Sequence, residues 1–314
     1  MPATLRILVV GAGAIGGYFG GRMLAAGRDV TFLVRPGRAA QLARDGLVIR
    51  SPTGDARLSA PPHVLAGDLR EPFDLVLLSC KAYDLDSAMA DVAPAVGPGT
   101  AILPLLNGLR HLDALDARFG AARVLGGRCI ISSALDGDGA VLHLNTLHDI
   151  VFGERDGTAS PRVAAIAAAM DGAGFTSRAS AAVMLEMWEK WVFVAALAAV
   201  TCLMRAAVCD IMAAGGRDLA LGLLEECRAI AEAAGHPPRA ESLSRAAAML
   251  TAPDAPTTAS MLRDIERGGR IEADHMIGDL IARRDALGVA PGKLLPVVLA
   301  HLKAYEARQA RERS

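Results

Sequence analysis

The stretch LRILVVGAGAIGGYFGGRMLAAGRDVTFLVR, residues 5–35, decides how the chain begins to fold. An apolar run leads into Gly11, Gly13 and Gly16, which stand in G-x-G-x-x-G spacing. A helical stretch follows, and a second apolar run ends at Arg35. A strand, a glycine turn, a helix and a second strand in this order predict the phosphate-binding turn of a dinucleotide fold.

Each glycine of this turn has a physical reason. Gly11 permits the tight turn, Gly13 lets the backbone approach a pyrophosphate, and Gly16 lets the helix pack closely on the strand. The N-terminus of the helix offers unbonded N–H groups and the positive end of the helix dipole to an anion. An ordinary glycine-rich turn is the alternative, but the flanking strands and helix favour cofactor binding. The residues predicted to hold the cofactor here are Gly11, Ala12, Gly13, Ala14, Ile15 and Gly16.

Arg35 stands where NAD-binding units carry an acidic residue. Such an Asp or Glu accepts from the ribose 2′-OH and would repel a 2′-phosphate. Here Arg38 follows Arg35 by about one turn, and no acidic residue occurs between Arg35 and Asp45. A guanidinium suits a phosphate monoester because it donates paired hydrogen bonds. The sequence therefore favours NADP(H) over NAD(H), with an ordinary solvated arginine as the alternative.

Composition excludes several classes of protein. The chain has 314 residues, of which 52% are hydrophobic, and 33 basic against 34 acidic residues give a net charge of −1. No basic surface for nucleic acid is expected. Five scattered cysteines without C-x-x-C spacing indicate a reducing compartment. The sequence enters the first strand at once, so no signal peptide is expected, and the uncharged run 191–204 is shorter than the ~20 residues of a membrane span. We therefore expect a soluble cytoplasmic protein without a metal site or a membrane partner.

The first half of the sequence alternates strands and helices. Short apolar runs predict parallel strands covered on both faces, and the intervening segments predict helices, the last of them capped by Ser160. The predicted strands after residue 35 are 75–80, 100–106, 126–134, 140–145 and 149–153, and the predicted helices are 37–45, 84–92, 110–119 and 161–172.

Strand signals stop near residue 178, and glycine and proline breaks then separate helices. The sequence predicts an α/β protein, in which residues 1–178 form a dinucleotide-binding domain and residues 179–314 form an all-helical domain for substrate and catalysis. The predicted helices of this second half are 179–204, 217–234, 239–250, 258–267, 272–286 and 293–309.

The helical half offers two candidates for acid–base chemistry. Lys190 lies where a helix turns from polar to wholly apolar, and Glu272 follows a Gly-Gly break. A protonated lysine can polarise a carbonyl and donate its proton as hydride arrives. The alternatives are a surface pair between Glu186 and Lys190, which stand four residues apart, and a glutamate that favours a helix N-terminus.

The chain resembles the ketopantoate reductase (2-dehydropantoate 2-reductase) family over nearly its whole length. The resemblance implies a Rossmann-like domain followed by an all-α domain similar to the C-terminal domain of 6-phosphogluconate dehydrogenase. The motifs that carry it stand in order and at family-like spacing: GAGAIG at 11–16, LVR at 33–35, CKAY at 80–83, LNG at 106–108, WEK at 188–190, SMLRD at 260–264 and IEAD at 271–274.

The resemblance implies a role for each matching residue. Gly11 to Gly16 would hold the pyrophosphate of NADPH, and Arg35 and Lys81 would take the adenosine end with its phosphate. Asn107 would lie between the nicotinamide and the substrate. Lys190 would be the general acid with Glu272 as its partner, and Ser260 would bind the substrate carboxylate.

Two substrate-facing positions depart from the family pattern. The helix after the catalytic lysine usually presents asparagines one and two turns later, where this chain has Val194 and Ala198. The implied activity is NADPH-dependent reduction of ketopantoate to pantoate, a step of pantothenate biosynthesis. A less polar 2-oxo acid or an imine is the first alternative, and a non-catalytic NADP(H)-binding sensor is the second. The sequence leaves open whether the protein forms a homodimer.

Overall fold

The computed structural model describes residues 5–313. Residues 1–4 and 314, which belong to the two predicted domain ranges, lie outside the described residues. The chain divides into two compact units. The first holds the chain as far as Leu106 together with His111–Val183, and the second holds Asn107–Arg110 together with the chain from Met184 onward.

All the strands of the described residues lie in the first unit. They are β1 (Ile7–Val10), β2 (Val30–Leu33), β3 (Leu47–Arg50), β4 (Ala56–Leu58), β5 (His63–Val64), β6 (Leu75–Leu78), β7 (Ala101–Pro104), β8 (Gly126–Leu135), β9 (Val141–Gly153) and β10 (Thr176–Ala179).

The first sheet is the parallel sheet of a dinucleotide fold. Its strand order is β5-β2-β1-β6-β7, and every neighbouring pair is parallel. Each residue of β1, β6 and β7 is buried, as expected for apolar strands covered on both faces. The predicted α/β class with a Rossmann-like N-terminal domain is confirmed.

The second sheet corrects the sequence-based assignment. The predicted strands 140–145 and 149–153 are one strand, β9, which pairs antiparallel with β8. The ladder with β8 shifts register between Ile131 and Ser133, which pair with His148 and His143, so the two predicted strands belong to one ladder. β9 also pairs in parallel with β10 and β3, and β3 pairs antiparallel with β4. Strands β3, β4, β5 and β10 were not predicted.

The helices of the first half agree closely with the pattern. They are α1 (Ala14–Ala25), α2 (Pro36–Asp45), α3 (Leu85–Val92), α4 (Arg110–Phe119) and α5 (Pro161–Met170). Ser160 caps α5 as expected, since its Oγ accepts from the N–H of Val163 at 3.2 Å.

The second unit is helical from Met184 onward, which confirms the all-α prediction. Its helices are α6 (Val183–Met204), α7 (Val208–Ala213), α8 (Arg217–Ala233), α9 (Ala240–Leu250), α10 (Ser260–Glu266), α11 (Asp279–Ala286) and α12 (Leu294–Arg313).

One helix start in this unit was wrong, and one predicted helix contains an irregularity. The predicted helix 272–286 is confirmed within one residue, since the chain is helical from Ala273 to Ala286, but it includes a π-helical turn, Asp274–Gly278, ahead of α11. The helix expected from residue 179 begins only at Val183, because residues 176–179 form β10. The short helix α7 was not predicted.

Helix α6 is the core of the helical unit. By length and composition alone it could cross a membrane, but 72% of its most apolar 18-residue window is buried inside the protein. Trp191 at its centre is fully buried. A helix that is apolar on every side is expected at the centre of a helical domain.

Candidate active site

The glycine turn between β1 and α1 has the shape that a dinucleotide phosphate needs. Gly11 has a positive φ of +92°, which a residue with a side chain rarely adopts. A Cβ atom on Gly16 would lie 2.1 Å from the Gly11 carbonyl oxygen, so only glycine lets the helix approach this closely. A Cβ on Gly13 would meet no atom within 4 Å. The backbone of Gly13 therefore faces open space beside the N-terminus of α1, and these residues fit a pyrophosphate.

Two side chains hold the turn in place through hydrogen bonds to its carbonyl oxygens. Ser79 at the end of β6 donates to the carbonyl oxygen of Val10 at 2.8 Å. Arg38 on α2 donates through Nε to the carbonyl oxygen of Ala12 at 2.9 Å and through Nη1 to that of Gly139 at 2.8 Å. The guanidinium of Arg38 thus braces the turn, and sequence reasoning had grouped this residue only with the phosphate-reading Arg35.

The predicted phosphate reader, Arg35, has an acidic partner. Arg35 is the N-cap of α2, and its side chain is 68% exposed. Its Nη2 lies 3.1 Å from Oδ1 of Asp84, and the hydrogen bond and charge of Asp84 raise the pKa of Arg35. Lys81, partly exposed, lies just before the short 3₁₀ turn that ends at Asp84. Sequence reasoning missed Asp84, because its pairing with Arg35 depends on the strand order.

Lys190 lies on α6 among buried neighbours. Its own side chain is partly exposed, whereas Glu186, Glu189 and Trp191 are buried. The carboxylate of Glu189 accepts from the backbone N–H of Arg239 at 2.9 Å and from its Nε at 2.8 Å. Burial raises the pKa of Glu189, but the bonds from Arg239 outweigh it and leave that pKa below its usual range. This charge pair anchors α6 one residue before Lys190.

Glu272 is joined to the Lys190 helix through neighbouring residues. Glu272 is buried, and its carbonyl oxygen accepts from the N–H of Met276 at 2.9 Å. Trp191 in turn donates through Nε1 to the carbonyl oxygen of Met276 at 3.1 Å. The residue after Lys190 therefore touches the turn that Glu272 begins, so the second unit brings these two segments together.

Asn107 belongs to the same unit and meets the same turn. Gly108 has a φ of +73°, and a Cβ on it would lie 3.0 Å from the carbonyl oxygen of His275 and 3.1 Å from its Cδ2. Burial lowers the pKa of His275, which a backbone hydrogen bond to Asn107 and the charge of Glu272 partly offset. His275 thus links the Asn107–Gly108 elbow to the Glu272 segment. No pattern in the sequence singled it out.

The other three predicted substrate-contacting positions, besides Asn107, differ in exposure. Val194 on α6 is partly exposed, whereas Ala198, one turn further, is only 3% exposed. Ser260 is exposed at the first position of α10. Within residues 5–313, no group of three His, Cys, Asp or Glu side chains could hold a metal ion.

Comparison with known families agrees with this arrangement. The model of the family described as ketopantoate reductase PanE/ApbA matches residues 7–157, and the model of its C-terminal region matches residues 182–306. The chain belongs to the ketopantoate reductase family. It is therefore an oxidoreductase, of a family that reduces 2-oxo acids with NAD(P)H.

Individual relatives and solved structures match the chain over nearly its whole length. An uncharacterized oxidoreductase of Bacillus subtilis, YkpB, is 38% identical over 306 residues, which is 97% of this chain and 100% of that protein. The crystal structure of 2-dehydropantoate 2-reductase from Geobacter metallireducens is 30% identical, has a TM-score of 0.87 and covers 96% of this chain and 99% of its own. D-mandelate dehydrogenase with NADH and anilino(oxo)acetate shares the fold at 18% identity, with a TM-score of 0.86 and coverage of 97% and 99%.

Proposed function

We propose that this ketopantoate reductase family member reduces a 2-oxo acid to a 2-hydroxy acid with NADPH, and that ketopantoate is the first substrate to test. What carries the proposal is that Asn107, Lys190 and Glu272 stand in one unit, in which the Asn107 segment and the Lys190 segment each contact the turn that follows Glu272. NADPH, when bound, supplies the hydride to the 2-oxo carbon. Every other step falls to side chains of this chain.

Lys190 is the proposed general acid. Its ammonium group would donate a hydrogen bond to the carbonyl oxygen of the substrate and release the proton to that oxygen as the hydride arrives. Buried Glu272 would orient the lysine and balance its charge. Asn107 would position the substrate, because its amide donates and accepts at the same time, and Ser260 would bind the substrate carboxylate.

The preference for NADPH rests on Arg35. Gly11, Gly13 and Gly16 fit the pyrophosphate that both nicotinamide cofactors share. The guanidinium of Arg35, with Lys81 just before the 3₁₀ turn that ends at its partner Asp84, would bind the 2′-phosphate of NADPH alone. The solved D-mandelate dehydrogenase carries NADH, so the fold also accepts the cofactor without that phosphate. Binding of both cofactors therefore has to be measured.

The second candidate function is the same chemistry on a less polar substrate. It is favoured by Val194, which presents an apolar side chain one turn after Lys190 on the same helix face. A site that hydrogen-bonds a hydroxyl rejects analogues without it by 10⁴–10⁵, whereas an apolar pocket discriminates only about 10–200-fold. An imine in place of the 2-oxo acid would use the same proton donor.

One assay tests these proposals together. NADPH oxidation is followed with ketopantoate and with its deoxy analogue 2-oxo-3,3-dimethylbutanoate, and kcat/KM is compared. A ratio above about 10³ supports ketopantoate as substrate, and a ratio near unity supports the less polar 2-oxo acid. Absence of turnover with every 2-oxo acid and imine of a broad panel would instead favour a non-catalytic NADP(H) sensor, which has no use for Lys190 and Glu272.

We also place the protein in the cytoplasm, on its scattered thiols and its nicotinamide chemistry, and we assign cofactor binding to residues 1–178 and catalysis mainly to residues 179–314. If ketopantoate is the substrate, the reaction belongs to pantothenate biosynthesis. A homodimer remains a proposal to be tested by light scattering.

A further inference from the structure

The ion pair between Arg35 and Asp84 lies at the edge of the sheet where the cofactor is expected. Arg35 follows β2 and Asp84 belongs to the loop after β6, and these strands are the two parallel neighbours of β1. The glycine turn follows β1 itself. The pair therefore joins the loops on either side of the glycine turn, at the carboxyl ends of the strands.

We propose that Asp84 is a specificity-determining residue that weakens the preference of this protein for NADPH over NADH. Its carboxylate forms an ion pair with the guanidinium of Arg35 and would repel a 2′-phosphate bound by the same guanidinium. An unphosphorylated ribose carries no charge to repel, and a carboxylate can accept from its 2′-OH. The inference deepens the proposed cofactor preference and rests on it.

The charges around Arg35 support this reading. Asp84 is the largest influence that raises the pKa of Arg35, and Asp91 and Cys80 add smaller contributions of the same sign. The Asp84 side chain is only 25% exposed, so its carboxylate is held near the guanidinium rather than free in solvent. A 2′-phosphate with a charge of about −2 would thus meet an arginine whose positive charge is already partly balanced by a carboxylate.

The size of the effect follows from Coulomb's law. At a separation of about 6 Å in water, the repulsion between one carboxylate and a phosphate of charge −2 corresponds to about tenfold in affinity. Salt near physiological strength reduces it to about threefold. Removing the charge of Asp84 should therefore tighten binding of a 2′-phosphate by about 3- to 10-fold, with the larger gain at low salt.

Binding of two cofactor fragments tests the proposal without turnover. Calorimetry with the whole protein compares 2′,5′-ADP with 5′-AMP, which differ only in the 2′-phosphate, at low and at physiological salt. Asp84→Asn should raise the affinity ratio of 2′,5′-ADP to 5′-AMP by about 3- to 10-fold. Asp84→Ser should give the same gain and replaces Asp84→Asn if that variant loses stability. Asp86→Asn is the matched control, because Asp86 is exposed nearby and is not among the groups that shift the pKa of Arg35.

Each outcome decides one of the two questions. An unchanged affinity ratio in the Asp84 variants, or an equal gain in Asp86→Asn, overturns the role of Asp84. If the unaltered protein binds both fragments equally and Arg35→Gln changes nothing, the proposed NADPH preference fails. A preference that appears only in Asp84→Asn would support the role of Asp84 and remove the NADPH preference of the natural chain.

Discussion

Two alanine substitutions in the glycine turn should affect different properties, because the surroundings of the two glycines differ. Gly16→Ala should lower the stability of the fold, and Gly13→Ala should weaken the binding of NADPH. In Gly16→Ala the new methyl group would lie 2.1 Å from the carbonyl oxygen of Gly11 and 2.3 Å from Oγ of Ser79. Backbone and side chain must both move. Overpacking of this kind costs about 1–3 kcal/mol, and the better helix propensity of alanine returns about 0.5–1 kcal/mol. A net loss of roughly 1–2 kcal/mol lowers the melting temperature by about 2–8 °C.

Gly13→Ala should leave stability unchanged within about 0.5 kcal/mol, as for surface substitutions. Gly13 has a φ of −86°, which alanine adopts freely, and its methyl group would meet no atom within 4 Å. The same methyl group would occupy the space into which the pyrophosphate must come. We expect the dissociation constant for NADPH to rise about tenfold or more, which is ~1.4 kcal/mol.

Thermal unfolding without cofactor and fluorescence titration with NADPH measure the two effects separately. Each variant is the control of the other, since both add one methyl group to the same turn. A wild-type melting temperature in Gly16→Ala would refute the close packing of α1 on β1. Wild-type NADPH affinity in Gly13→Ala would show that the pyrophosphate does not bind at this turn.

Four further substitutions test the site and its supports. Lys190→Ala should lower kcat by about 10²–10⁴ while NADPH affinity stays near wild type; retained turnover would remove the proposed general acid. Arg35→Ala should weaken the binding of NADPH by about tenfold or more and leave the binding of NADH almost unaffected. An equal loss of affinity for both cofactors in binding titrations would show that Arg35 does not bind the 2′-phosphate. His275→Gln should flatten the pH dependence of the unfolding free energy in urea titrations. Burial lowers the pKa of His275. The neutral imidazole therefore gives its full contribution to stability above the pKa of histidine in the unfolded chain, about 6.5, and this contribution is lost as the pH falls below that value. An unchanged pH dependence of the unfolding free energy would disprove this. Arg239→Ala should cost about 1–3 kcal/mol at pH 7 by urea unfolding, because it leaves buried Glu189 without its guanidinium, and a loss below 0.5 kcal/mol would contradict that anchor.

The parts of the fold that could be predicted are those whose cause is local. The glycine turn is specified by residues within one stretch, and β1, β6 and β7 follow from continuous apolar runs. β10, with the sequence TSRA, is mostly exposed and exists because it pairs with β9. Its strand character comes from that distant partner and not from its own residues.

The candidate site divides in the same way. Lys190 and Glu272 were candidates because each stands at a visible change of pattern, and the resemblance to the family implied their roles. Asp84 could be connected with Arg35 only once the strand order was known, since the sheet places β1 between their two strands. His275 meets Gly108 through packing between distant segments, and such contacts leave no periodic signal in a single sequence.

Val194 and Ala198 are alike in the sequence pattern, but they differ in burial. The family resemblance implies asparagines at both positions, but Ala198 is 3% exposed and stands in a run of buried residues on α6, whereas Val194 is partly exposed. An amide at position 198 would have to find hydrogen-bond partners inside the helical core, and an unsatisfied one costs about 1–3 kcal/mol. At position 194 solvent or substrate can satisfy an amide. The apolar character of Ala198 is therefore explained by packing, while that of Val194 is not. Under the proposed function, Val194 is thus the position to vary in a comparison of hydroxylated with less polar 2-oxo acids.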